Sequence, residues 1–182
     1  VDAVIEGLGF IFTENQYADK VVEKLLKKDK RWGARDRAFV AETIYDIVRW
    51  KRLYAEIAEV YEPFSIHNLR RLFAVWATLK GIPLPDWGNY FEDTPTRRIK
   101  GKFDELSKIR KYRESVPDWL DALGEQELGE ALWTDELHSL NSLAPVVLRV
   151  NTLKISRDRL QQLLREEGVE SYPLQQIGRA HV

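Results

Sequence analysis

Apolar residues return every three or four positions through most of this chain, the repeat that lays a stripe down one side of an α-helix. Val1, Val4, Ile5, Leu8 and Phe12 predict a first helix, and Val21 and Leu25 a second that stops near Asp29. Asp36 is placed to cap a third, with Val40, Ile44, Ile47 and Val48 as its buried stripe. A fourth gathers around Leu53, Tyr54 and Ile57, and Pro63 ends it. Asn68 is the candidate cap of the next, where Leu69, Leu72, Phe73, Trp76 and Leu79 form the clearest stripe. Gly81 then supplies a left-handed stop, and Pro83 and Pro85 block continuation. Residues 82–95 read as a loop that packs down through Trp87, Tyr90 and Phe91. Helical spacing resumes from Arg97 to Ile109. Pro117 opens a short helix with Trp119, Leu120 and Leu123, closed by Gly124, and another runs from about Glu127 to Leu140.

The period changes after Pro145. Val146-Val147-Leu148-Arg149-Val150 is short and β-branched, hence a strand. Ser156 caps a helix that turns Leu160, Leu163 and Leu164 inward, Gly168 ends it, and Val169 to Leu174 reads as a second strand. The expected fold is therefore mainly α, a helical domain over residues 1–144 followed by a truncated β-α-β unit over 145–176. Two strands around one helix cannot close a core. The last six residues, Ile177 to Val182, look like one reading frame of a sequencing adapter and are set apart as a non-native tail.

Composition narrows the chemistry. No cysteine occurs in the 182 residues, which removes disulfides, thiolate metal sites and cysteine nucleophiles. His67, His138 and His181 are scattered, giving a zinc site no local support. No apolar run approaches the ~20 residues of a membrane span, and Val4 to Phe12 is broken by Glu6 and lacks the basic flank of a signal peptide. A cytoplasmic location is expected.

The net charge of -1 hides an uneven distribution. Between residues 20 and 37 lie Lys20, Lys24, Lys27, Lys28, Lys30, Arg31, Arg35 and Arg37 against only Glu23, Asp29 and Asp36. Residues 97–113 are again basic, led by Arg97, Arg98, Lys100 and Lys102, whereas 114–136 hold acidic residues and no basic ones. Such asymmetry suggests one anion-seeking face. The first cluster can neutralise phosphates, or simply solvate a helix face. Arg35 and Arg37 are its sharpest members, because guanidinium forks suit phosphate and the loop at Gly33 offers free amides. Arg49, Lys51 and Arg52 extend the candidate surface. Trp50 among them reads as core rather than as a base-stacking ring. The run from Arg97 to Lys102 is either a second anion surface or a basic linker balancing the acids that follow. Trp76 reads as core, and Trp119 and Trp133 as seals at the junction of the two domains.

Val116-Pro117-Asp118-Trp119-Leu120, followed by Pro145-Val146-Val147-Leu148-Arg149-Val150-Asn151-Thr152-Leu153-Lys154, resembles the RsmB/Nop/Sun family of RNA cytosine-5 methyltransferases. The strings Asp36 to Val40 and Tyr45 to Arg49 are similar to the NusB-like helical domain that opens its bacterial members. The resemblance implies an order of NusB-like RNA-binding bundle, RRM-like α/β domain, and a catalytic domain that binds S-adenosylmethionine and supplies two cysteines. This chain would then be an RNA-recognition fragment, docking ribosomal RNA for a catalytic domain of the same polypeptide, with no cofactor of its own. Gly7-Leu8-Gly9 lacks the third glycine of a dinucleotide-type loop and lies in a helical pattern. In an RRM-like order the strand at Val146 needs a partner from beyond these residues, so the segment after Pro145 is expected to be weakly anchored. Arg149 and Asn151 are the positions carried over from the family, where the motif borders the catalytic cleft; here a strand-end arginine and a turn-forming asparagine suffice. The competing readings are a stand-alone NusB-like RNA-binding or antitermination module, and a helical protein-interaction scaffold.

Overall fold

The structure, a computed structural model, describes residues 1–86, 91 and 95–174. The chain divides into two compact units between Ser142 and Leu143.

Five helices build the core of the first unit: α1 (Asp2–Phe12), α2 (Ala18–Lys28), α3 (Ala34–Arg49), α4 (Lys51–Ala58) and α5 (Ile66–Leu79). Each turns its predicted stripe inward. Val4, Leu8, Val21, Leu25, Ile44, Ile47, Leu53, Ile57, Leu72 and Phe73 are all at most 4% exposed. Gly7 lets α1 lie close to α2 and α3, since a Cβ there would stand 2.7 Å from an Ile44 methyl and 2.8 Å from a Leu25 methyl.

Helix starts differ from the sequence expectation in an instructive way. Asp36 is the third residue of α3, not its cap: its carboxylate reaches back to accept from the Gly33 N–H at 3.0 Å. Ser65 caps α5, its Oγ accepting from the Asn68 N–H at 3.2 Å, so Asn68 receives the cap rather than providing it. In both cases the capping interaction spans three residues, and the sequence reading took its far end, Asp36 or Asn68, as the cap. α4 stops well before Pro63, because Glu59 adopts a left-handed conformation at φ 53°. Gly81 makes the predicted left-handed stop at φ 69°. Phe91 packs beside Phe73, ring centroids 5.8 Å apart. Trp87 and Tyr90 lie outside the described residues.

α6 (Thr96–Leu106) adds the buried Ile99 to this core, and the short α7 (Arg110–Arg113) leads to a hairpin of α8 (Asp118–Leu128) and α9 (Glu130–Asn141). Gly124 does not close α8, which continues through it to Leu128. The Trp133 indole lies directly over Gly124, where any Cβ would collide with the ring, so this glycine serves close helix contact; Gly129, at φ 77°, makes the turn. Trp133 and Leu137 bury beside Val116, whereas Trp119 stays 66% exposed, so only one of the two predicted seals is buried.

In the second unit, α10 (Arg157–Glu166) is capped by the Ser156 hydroxyl and stopped by Gly168 at φ 79°, as its sequence implies. The strands expected at 146–150 and 169–174 are not present among the described residues. A strand needs a neighbour to satisfy its backbone, and apolar content cannot supply one. Val146, Val147 and Leu148 are exposed, and none of residues 143–174 is buried. The chain is thus mainly helical. Residues 177–182, set apart as a tail, lie outside the described residues. No described helix is long and apolar enough to cross a membrane.

Candidate nucleic-acid interface

The face of α2 opposite Val21, Val22 and Leu25 carries Lys20, Lys24, Lys27 and Lys28, all exposed. Their spacing of four, three and one keeps them on one side of the helix. Lys27 meets Glu23 at 2.6 Å and holds its carboxyl below the usual range by hydrogen bonding. Lys28 meets Glu6 of α1 at 2.8 Å. The Lys24 ammonium stands 5.0 Å from the centroid of the Phe10 ring. Lys20 is only 3.9 Å from Asp19. Exposed pairs of this kind are weak in water, so these cations can turn to a phosphate at little cost.

Past the end of α2, Arg31 grips Asp29 through Nε at 3.0 Å and Nη2 at 2.7 Å, and the hydrogen bonds hold the Asp29 carboxyl down at about 2. The two arginines beside Gly33 separate in role. Arg37 donates through Nη1 to the Leu26 carbonyl at 2.8 Å, closing an open carbonyl at the end of α2. Arg35 is exposed and has no ion-pair or hydrogen-bond partner among the described residues.

Arg49, Lys51 and Arg52 are engaged inside the unit. Arg49 Nη2 donates to the Glu114 carbonyl at 3.1 Å and to Asn141 Oδ1. Arg52 donates to the Val116 carbonyl and, at 2.6 Å, to Asp118. Lys51 pairs with Glu62 at 2.7 Å. Asp118 also receives Lys111 at 2.8 Å, and hydrogen bonds from Lys111 and Arg52 hold its carboxyl down at about 2. Glu114, buried to 5% exposure, is satisfied by Asn141 Nδ2 at 2.7 Å and Arg113 Nε at 2.9 Å. The arginines at the α3–α4 junction therefore fasten the turn at residues 114–118. Trp50 packs against the core with Arg49 over its ring, which suits the core reading.

On α6 the basic run splits into two faces. Arg98 and Lys102 converge on Glu59, and their hydrogen bonds, Lys102 foremost, lower its pKa. Arg97 and Lys100 are exposed without a partner among the described residues. In the second unit Asn151 makes its expected turn: Oδ1 accepts from the Leu153 N–H at 3.1 Å, and its carbonyl from Lys154 and Ile155. Arg149 is exposed.

Of the candidate cations on the helical unit, Arg35, Arg97 and Lys100 have no ion-pair or hydrogen-bond partner among the described residues, and Lys20 and Lys24 are held only by a 3.9 Å pair and a ring contact. Glu59, Glu114 and Asp118 lie far along the chain from Arg98, Arg49 and Arg52, which they engage, and no local pattern announces those pairings. Tyr17 also escaped the sequence reading. It opens α2 and is 81% exposed, with its ring against no core residue.

Among the described residues, the Gly7-Leu8-Gly9 string forms no cradle for S-adenosylmethionine. Gly7 and Gly9 sit inside α1, Gly7 packed against Ile44 and Leu25, so neither can cradle a cofactor at the mouth of a strand. Among the described residues no cluster of three His, Asp or Glu could hold a metal ion.

No curated protein and no solved structure matches the chain. One family model does, that of the RsmF/B-like methyltransferase, ferredoxin-like domain, over residues 116–180. The match begins at the turn that Arg52 fastens and ends inside the segment set apart as a tail. Over that segment, about a third of its length, the chain is similar to the ferredoxin-like domain of RsmF/B-like methyltransferases.

Proposed function

We propose that this chain is the RNA-docking part of an S-adenosylmethionine-dependent enzyme that methylates C5 of cytosine in ribosomal RNA, acting in the cytoplasm. The observation that carries this reading is the match over residues 116–180. The helical unit, read as NusB-like from its Asp36–Val40 and Tyr45–Arg49 strings, contributes the cations of α2 and Arg35 as the phosphate-binding surface. With no cysteine among its residues, the chain cannot supply a sulfur nucleophile, and the chemistry falls to a catalytic domain of the same polypeptide. Arg49 and Arg52 act as structural ties, and Arg149 and Asn151 as elements that border that domain. The family match favours this reading over a stand-alone antitermination module.

Fluorescence anisotropy of the 182-residue chain with ribosomal RNA fragments, at two salt concentrations, tests the proposal. Affinity should fall as salt rises, and fall again when Lys20, Lys24, Lys27 and Arg35 become alanine. An absence of binding at low salt would sink the docking role and favour an interaction scaffold.

A further inference from the structure

We infer that Tyr17 is a base-stacking residue and that the α2 surface binds unpaired RNA more tightly than duplex; this rests on the docking role proposed above. Tyr17 is the most exposed aromatic side chain of the described first unit, at 81%. Its hydroxyl has no hydrogen-bond partner among the described residues, so neither ring nor phenol serves the fold. Its backbone carbonyl accepts from the Val21 N–H at 3.1 Å, which fixes it as the first step of α2. Lys20 and Lys24, both exposed and on one side of α2, follow three and seven positions after this N-cap residue. Lys20 to Lys27 covers about 10 Å of helix axis, room for neighbouring phosphates of one strand beside a stacked base. The α2 surface thus joins a cationic track to an aromatic face, the two parts with which proteins hold single strands. In an A-form duplex the base faces are covered by stacking and pairing, leaving Tyr17 nothing to stack on. Trp50 does not fill this role, because it packs against the core under Arg49.

The test measures the 182-residue chain and its variants against an unstructured RNA strand carrying 2-aminopurine, and against the same strand in a duplex. Tyr17→Ala should weaken single-strand binding roughly five- to a hundredfold and leave duplex binding unchanged. Tyr17→Phe, which keeps the ring, should retain both the affinity and the quenching of 2-aminopurine. Lys20→Ala with Lys24→Ala should weaken binding of both RNAs. If Tyr17→Ala leaves single-strand affinity and quenching intact while the lysine variant loses binding, stacking is overturned and docking survives. If the unmutated chain binds neither RNA at low salt, both fall.

Discussion

Asp46 shows how one side chain can anchor three helices. Its Oδ2 accepts from Trp76 Nε1 at 2.8 Å and from the Tyr54 hydroxyl at 3.4 Å, and it pairs with Lys80 at 3.0 Å. Burial and the adjacent carboxylate push the Tyr54 phenol well above its ordinary range. Asp46→Ala strands the indole N–H and should lower unfolding free energy by about 1–3 kcal/mol in urea titration, whereas Asp46→Asn, still an acceptor, should lose less. Gly124 carries the opposite lesson. In an open helix Gly→Ala stabilises by about 1 kcal/mol. Here the new methyl would strike the Trp133 ring, so Gly124→Ala should destabilise by about 1–3 kcal/mol, and a gain in midpoint would disprove the close packing.

Among the helices, the junction of α3 and α4 decides where the 114–118 turn sits. Arg52 holds Val116 and Asp118 at once, and its side chain is 22% exposed. Arg52→Ala should cost about 1–3 kcal/mol in denaturant unfolding, with Arg52→Lys recovering only part, since an ammonium cannot reproduce the fork. The Asp118 pairing also fixes a pH dependence. Its carboxyl lies at about 2 against an ordinary 3.8, so the stabilisation is complete above the ordinary value and lost as pH falls through the lowered one. The difference in melting temperature between the unmutated chain and Asp118→Asn should be full at pH 5 and closed near pH 2. A difference that persists unchanged through that range would show that the carboxylate charge is not what Lys111 and Arg52 recognise.

The two units differ in kind. The first contains every buried described residue, and the second none. Local opening is governed by such packing. Amide hydrogen exchange should therefore show protection in α1, α3 and α5 that approaches the global unfolding limit, while residues 143–155 and 169–174 exchange close to unfolded rates. Strong protection at Val146 to Val150 would mean that this segment finds a strand partner. The same contrast bears on function: the buried helical core can hold its cations in place, whereas Leu143, Val146, Val147 and Leu148 are exposed.

Helical periodicity was enough to place α1 to α5 and α10, because a stripe such as Leu69-Leu72-Phe73-Trp76 has few other ways to leave water. Gly81, Gly168 and Ser156 were legible for a similar reason, each acting on backbone within a few residues. The strands were not, since the apolar run at Val146 to Val150 states a preference while a ladder requires a second chain segment. Charge was legible in amount and not in availability. Arg35 and Arg52 look alike in sequence, yet the first stays in water and the second is committed to Val116 and Asp118, more than sixty positions away. Local patterns of three to seven residues settled the helices and the basic runs; long-range packing settled which cations remain free, which glycine turns the chain and which touches a ring, because those outcomes depend on neighbours that the order of residues does not bring near.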